Sequence, residues 1–237
     1  MPLSHHPVWH RPILSLVVDR ATCLLPVAEA VREAVRGGVD WVQIRERELE
    51  SGELLAWSES LARAAAEGAA QSANEGATEG GQRVAVIINR RIDIALSLAE
   101  TGAAQGVQLG FDAVSPTVAR ELLGETAWIG LSTHHPDEVV GLSQTPGRPG
   151  GPANYAQLAP IFSPLSKTST RPPLGLAALE RACRSGFPVL AQGGMDAGNA
   201  RKAVDAGAAG IAVTGAILQA SDPRAAAQSL RAALDGA

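Results

Sequence analysis

The sequence predicts a single (β/α)8 barrel, and three observations predict it. The chain has 237 residues, close to the roughly 250 that one such domain commonly takes. Eight short apolar runs alternate with eight helical stretches, and continuously apolar strands imply burial on both faces, as in a parallel sheet. The turn after the first run reads Asp19-Arg-Ala-Thr22, without the Gly-x-Gly-x-x-Gly that an open doubly wound sheet would place there. Eight such units close naturally into a TIM barrel.

The elements follow one another in a regular order. Compact apolar or β-branched runs at 13–19, 39–45, 84–89, 106–109, 128–132, 155–162, 189–191 and 210–213 read as strands. Stretches with helical spacing at 28–36, 53–66, 92–100, 116–123, 137–142, 176–185, 197–206 and 223–234 read as the helices between and after them. Gly37-Gly38, Gly102, Gly186 and Gly207 sit where helices end, and glycine there supplies the left-handed cap. These turns belong to the N-terminal, non-catalytic end of the barrel. Residues 1–12 read as a flexible tail and 13–237 as the barrel domain. Two segments interrupt the rhythm: 67–83, rich in Ala, Gly, Glu, Ser and Asn, and 143–153, rich in Pro and Gly. Both read as mobile insertions at the N-terminal rim, the first as a helix tail followed by a mobile loop, with no catalytic role.

Composition narrows the function classes. Hydrophobic residues make up 46% and aromatics 3%, so one sizeable core must be built from Val, Ile, Leu and Ala. The formal net charge is −4, without the basic surplus expected of a nucleic-acid binder. No uninterrupted apolar stretch reaches about 18 residues, so no membrane span is expected. The start of the chain lacks the features of a signal peptide. Cys23 and Cys183 lie far apart and show no zinc spacing. Two plain thiols in a reducing, cytoplasmic compartment are expected. His5, His6 and His10 read as part of a polar tail rather than a metal site.

In a barrel of this kind the chemistry sits at the C-terminal ends of the strands. The residues there are Asp19; Gln43, Arg45 and Arg47; Asn89 and Arg90; Gln108, Gly110 and Asp112; Ser132 and His134; Ser163, Ser166 and Lys167; Gln192, Gly193 and Gly194; Thr214 and Gly215. Strands seven and eight end in Ala191-Gln-Gly-Gly194 and Ala212-Val-Thr-Gly-Ala216. Glycine lets backbone approach a ligand, exposed N–H groups bind anions, and a helix starting near Ala216 adds its positive end. These loops form the usual phosphate pocket of such barrels, so Gly193, Gly194, Thr214 and Gly215 are the candidate cradle. Lys167, in a polar stretch after strand six, can pair with phosphate as a point charge. Arg45 and Arg47 fall on one side of a strand by alternation and need anions; Glu46 and Glu48 are the alternative partners to a ligand.

Eight blocks appear in order: Val42-Gln-Ile-Arg-Glu-Arg47, Ile87-Ile-Asn-Arg-Arg-Ile-Asp-Ile-Ala-Leu96, Gly106-Val-Gln-Leu-Gly110, Ile129-Gly-Leu-Ser-Thr-His134, Ala159-Pro-Ile-Phe162 with Lys167, Pro173-Leu-Gly-Leu176, Ala191-Gln-Gly-Gly-Met195 and Ala212-Val-Thr-Gly-Ala-Ile217. From Ile13 onward the chain resembles the thiamine phosphate synthase/TenI family of thiamine-biosynthetic barrels. The resemblance implies one of two activities. Synthases join a pyrimidine diphosphate to a thiazole phosphate and release pyrophosphate with magnesium. TenI proteins are thiazole tautomerases, which aromatise a thiazole phosphate carboxylate without metal.

Departures from the synthase pattern set the expectation. Synthases carry Asp directly after the third-strand Asn; here Arg90 stands there. Their fourth strand has His where this chain has Gln108, and Asp where it has Ala113, with Asp112 one position short. They favour Lys where this chain has Arg47. Magnesium is usually held by carboxylates and substrate phosphates, so the pattern points first to a TenI-like thiazole tautomerase. His134, matching the TenI acid/base histidine, would shuttle the proton. Gln43, Arg45, Arg47, Asn89, Ser132 and Lys167 would join the glycine loops in binding substrate. The expected partner is a small phosphorylated thiazole, with no nucleic acid and no membrane, no metal and no cofactor; a homodimer is usual in the family. The alternatives are a thiamine phosphate synthase, for which magnesium would be needed and Asp93 and Asp112 could ligate it, and a non-catalytic thiazole-phosphate binder.

Overall fold

The structure is a computed structural model that describes residues 11–75, 84–144, 151–163 and 171–236. Eight strands form a closed barrel in sequence order: β1 (Ile13–Val18), β2 (Trp41–Ile44), β3 (Ala85–Asn89), β4 (Gly106–Leu109), β5 (Trp128–Thr133), β6 (Tyr155–Leu158), β7 (Val189–Gln192) and β8 (Gly210–Val213). Every neighbouring pair is parallel, and the β1–β8 pairing of Leu14 with Ile211 closes the ring. The helices are α1 (Val27–Arg36), α2 (Ser51–Asn74), α3 (Ile92–Ala99), α4 (Pro116–Leu123), α5 (Pro136–Ser143), α6 (Gly175–Cys183), α7 (Ala200–Asp205), α8 (Gly215–Leu218) and α9 (Pro223–Asp235). No helix among the described residues is long and apolar enough to cross a membrane.

Two layers of packing follow from strand alternation. Residues facing out, such as Leu16, Val42, Ile88, Val107 and Ile129, are buried against the helices in one continuous aliphatic core. Residues facing in at the N-terminal end form a separate plug of Trp41, Ile87, Tyr155 and Leu190. Three of the few aromatics meet there: Trp41 lies 5.1 Å from Trp128 and 4.9 Å, edge-on, from Tyr155. Toward the C-terminal end the inward positions include the buried amides Gln43, Asn89, Gln108 and Gln157.

The expected element order holds, with differences at element ends. Helix α2 does not stop at residue 66. It continues through Asn74, so residues 67–74 of the anticipated loop are helix, and 76–83 lie outside the described residues. Alanine-rich sequence favours helix, and the extension has a seat. A Cβ on Gly68 would stand 2.4 Å from the Arg32 carbonyl oxygen, so α2 lies tight against α1. Glu75 then receives hydrogen bonds from both Arg36 and Arg224. Strand β6 ends at Leu158 rather than 162, because Pro160 has no N–H to continue the ladder. Helix α7 begins at Ala200, not 197, because Asp196 and Asn199 bond each other's backbone N–H at 3.1 and 3.0 Å. Of the second anticipated loop, Ser143 closes α5, and 145–150 lie outside the described residues. Both cysteines are free and half-buried, and burial pushes the Cys183 thiol up to about 11.

Buried charge ties the two ends of the ring together. Asp40, just before β2, accepts from Leu14 N at 2.8 Å, Arg231 Nη1 at 3.0 Å and Arg11 Nη2 at 2.5 Å. Removing it strands a buried N–H and a nearly buried guanidinium. Asp40→Ala therefore lowers stability by about 3 kcal/mol, read as a fall in the urea midpoint. Glu180→Ala, which breaks an exposed pair with Arg184, costs under about 0.5 kcal/mol.

Candidate active site

A hydrogen-bonded amide network floors the C-terminal mouth. Gln157 on β6 donates from Nε2 to Gln43 Oε1 on β2 at 2.6 Å, and Gln43 donates from Nε2 to Asn89 Oδ1 on β3 at 3.0 Å. Strands β2 and β6 are not neighbours, so the first bond crosses the lumen. Beside it, Gln108 Nε2 donates to Ser132 Oγ at 3.1 Å. The Gln108 Oε1 atom is fully buried and finds no partner among the described residues. Gly130 makes room for this packing: a Cβ there would stand 2.2 Å from Gln108 Oε1 and 2.2 Å from Tyr155 Cζ.

Gln43, Asn89, Gln108 and Ser132, all placed at strand ends by the sequence, line this floor, whereas Gln157 was missing from the residues singled out there. A signal for it exists. Strands β2, β4 and β6 read Trp-Val-Gln-Ile, Gly-Val-Gln-Leu and Tyr-Ala-Gln-Leu. The same four-residue pattern puts a glutamine at the same depth on three alternate strands.

Arginines crowd the rim above β2 and β3. Strand β2 ends at Ile44, so Arg45 and Arg47 lie beyond it and not on one strand face. Arg45 Nη1 donates to Asp19 Oδ2 at 2.8 Å. Its pKa is pulled below the ordinary guanidinium range, first by burial and then by the charge on Arg47, with Arg90 adding to the effect. Arg47 is exposed, and its guanidinium makes no hydrogen bond or ion pair with a described residue; Glu46 instead pairs with Arg20.

Arg90 has a positive φ of 66°, the only such non-glycine among the described residues. Arg91 N donates to the Asn89 carbonyl at 2.8 Å across it. That is the positive-φ form of the γ-turn, which is rare and strained. The Arg90 stem lies against Gly110, within 3.8 Å of where a Cβ there would sit, and its guanidinium donates to Asp112.

His134 follows β5, separated from the arginine-bearing β3 by β4, and is exposed. Its Nδ1 lies 2.8 Å from the Ala159 carbonyl oxygen. A carbonyl only accepts, so Nδ1 carries the proton, and Nε2 is the nitrogen left to accept one when the ring is neutral. His135 turns away and caps α5 through Asp137 N.

The glycine loops after β7 and β8 complete the rim. Gly193 and Gly194 have φ values of 91° and 62°. A Cβ on Gly193 would stand 2.8 Å from Pro160 Cα, and one on Gly194 2.3 Å from the Ser163 carbonyl oxygen. Both glycines therefore interlock the β6 and β7 loops, which Ile161 N and Phe162 N reinforce by donating to the carbonyls of Gln192 and Gly193. The N–H groups of Gly193, Gly194, Gly215 and Ala216 bond no described residue, as expected for backbone at a loop and a helix start. Thr214 leads directly into α8. Lys167 lies outside the described residues.

The donor set does not suit magnesium. Among the described residues no three His, Cys, Asp or Glu side chains form a group that could hold a metal ion. Asp93 is taken up by Arg91, which holds its carboxyl below the usual range, and Asp112 by Arg90. The two carboxylates considered as shifted ligands thus each face a guanidinium.

Known proteins resemble this chain in sequence and in fold. The family profile described as thiamine monophosphate synthase matches residues 14–217. The chain belongs to that family. A thiamine-phosphate synthase from Albidiferax ferrireducens is 36% identical, over 88% of this chain and 85% of its own length. One from Chlorobium phaeovibrioides is 34% identical over 93% of each chain. Among solved structures, a thiamine phosphate pyrophosphorylase from Pyrococcus furiosus superposes with a TM-score of 0.76 at 27% identity, covering 96% of this chain and 98% of that one. The chain is thus a thiamine-biosynthetic enzyme of the thiamine monophosphate synthase/TenI family. The relatives' names favour the transferase, which the sequence had placed second, over the tautomerase.

The interlocked glycines yield a direct expectation. Gly194→Ala forces a side chain into positive φ against the β6 loop and costs about 1–3 kcal/mol. Thermal melting should show the midpoint falling by several degrees.

Proposed function

We propose that this family member is a thiamine-phosphate synthase, joining a pyrimidine diphosphate to a thiazole phosphate. The observation that carries the proposal is the placement of two anion-receiving surfaces on separate arcs of the ring, one on each side of β1. Three guanidiniums, Arg45, Arg47 and Arg90, stand over β2 and β3, and the glycine loops stand over β7 and β8. A tautomerase substrate offers one carboxylate and one phosphate. Three guanidiniums are more than a carboxylate requires, and they suit a diphosphate, whose oxygens match the planar fork of arginine.

The chemistry then divides between the two arcs. The loops at Gly193, Gly194, Thr214 and Gly215, with Lys167, hold the thiazole phosphate, and the arginines hold the diphosphate. The floor of Gln43, Asn89 and Ser132 receives the pyrimidine edge. The thiazole nitrogen lone pair forms the new C–N bond to the pyrimidine methylene carbon. The C–O bond to diphosphate breaks, and its electron pair leaves on the diphosphate oxygen. A thiazolium and free pyrophosphate result, and no proton need move. The protein contributes alignment of the two reactants and stabilisation of charge on the leaving group.

The test is to supply both substrates and measure pyrophosphate and thiamine phosphate. The expected result is stoichiometric formation of both, with kcat/KM about 10²-fold lower in Arg45→Ala. Absence of either product from the folded protein would overturn the proposal.

One observation favours a second reading, the thiazole tautomerase: His134 has its Nδ1 proton committed to Ala159, and its Nε2 hydrogen-bonds no described residue. If that reading holds, the non-aromatic thiazole carboxylate phosphate is aromatised by the wild type, and His134→Ala loses about 10²–10⁴-fold in rate. Proton NMR of the ring follows this directly.

A further inference from the structure

We infer that Arg90 takes over the charge neutralisation that a divalent cation would provide at the diphosphate, so that this chain binds diphosphate without magnesium. The inference rests on the synthase reading for its substrate but on separate observations for Arg90 itself. Arg90 occupies a strained γ-turn that asparagine or glycine would adopt at lower cost. Strain of this kind persists where surrounding structure enforces it, and it concentrates at functional sites.

The turn has a geometric effect. It directs the guanidinium stem across Gly110 at the mouth and toward Asp112. Asp112 is half exposed, and an exposed ion pair is weak enough to be exchanged for a more highly charged ligand. Arg45 and Arg47 lie close by, and the acids that would have to chelate a cation are each paired to a guanidinium. A fixed cation on a side chain stands where a bound ion would otherwise be the largest local charge. Arginine is always protonated and bonds phosphate oxygens bidentately, so it needs no second component from solution.

The experiment titrates inorganic pyrophosphate into the full-length protein by calorimetry, once in EDTA and once in millimolar magnesium. Wild type should bind in EDTA, and added magnesium should not tighten binding. Arg90→Gln, neutral and of similar reach, should weaken binding in EDTA by at least about tenfold while keeping the wild-type melting temperature. Arg90→Asp should invert the dependence, binding more tightly with magnesium than without. Wild-type binding that requires magnesium, or unchanged affinity in Arg90→Gln, overturns the assignment. Pyrophosphate release from both substrates is measured separately in the same two buffers. Arg90-dependent binding in EDTA without turnover would defeat the synthase reading and leave the diphosphate site standing.

Discussion

A single hydrogen bond across the lumen, from Gln157 to Gln43, sets the depth of the mouth. Below it, the barrel is filled by aromatic and aliphatic side chains. Beside it, Gln108 and Ser132 add a second polar contact. Buried amides must be satisfied, at a cost of about 1–3 kcal/mol for each group left unpaired. The chain Gln157–Gln43–Asn89 therefore holds its members rigidly. Asn89 in turn anchors the carbonyl that closes the turn around Arg90. The position of the cationic rim thus descends from the floor beneath it.

Most of the fold was legible because a parallel barrel writes itself into sequence in a repetitive way. Each strand is buried on both faces and short, and each return passes through a helix. One error fell where tertiary contact overrides local signal. Helix α2 runs past its apparent end because Gly68 lets it lie against α1 and Glu75 bridges two arginines. Neither partner is near in sequence. Strand β6 and helix α7 were drawn too long for a local reason, a proline in one case and an Asp–Asn turn in the other.

The site was legible in its parts and less so in its balance. Gln43, Asn89 and Ser132 were found because strand ends are where barrels do chemistry. Gln157 escaped because a glutamine inside an apolar strand resembles a tolerated polar residue until its partner across the ring is known. Arg90 was noticed as a missing acid, an argument against metal and hence toward a tautomerase. Its positive φ and its closeness to Arg45 are three-dimensional facts. On the diphosphate reading they turn an erosion of one site into the construction of another, and relatives matched over 88–93% of the chain carry the synthase name.

The closure at Asp40 reaches further than stability. Arg11 near the start of the barrel and Arg231 in the last helix share one carboxylate, and β1 lies in register beside β8. Every strand therefore has two neighbours, and the sheet offers no open flank onto which a foreign strand could dock. The first strand and the last helix stand side by side, so a chain re-cut in an exposed loop and tethered between these two elements would keep the order of strands around the ring.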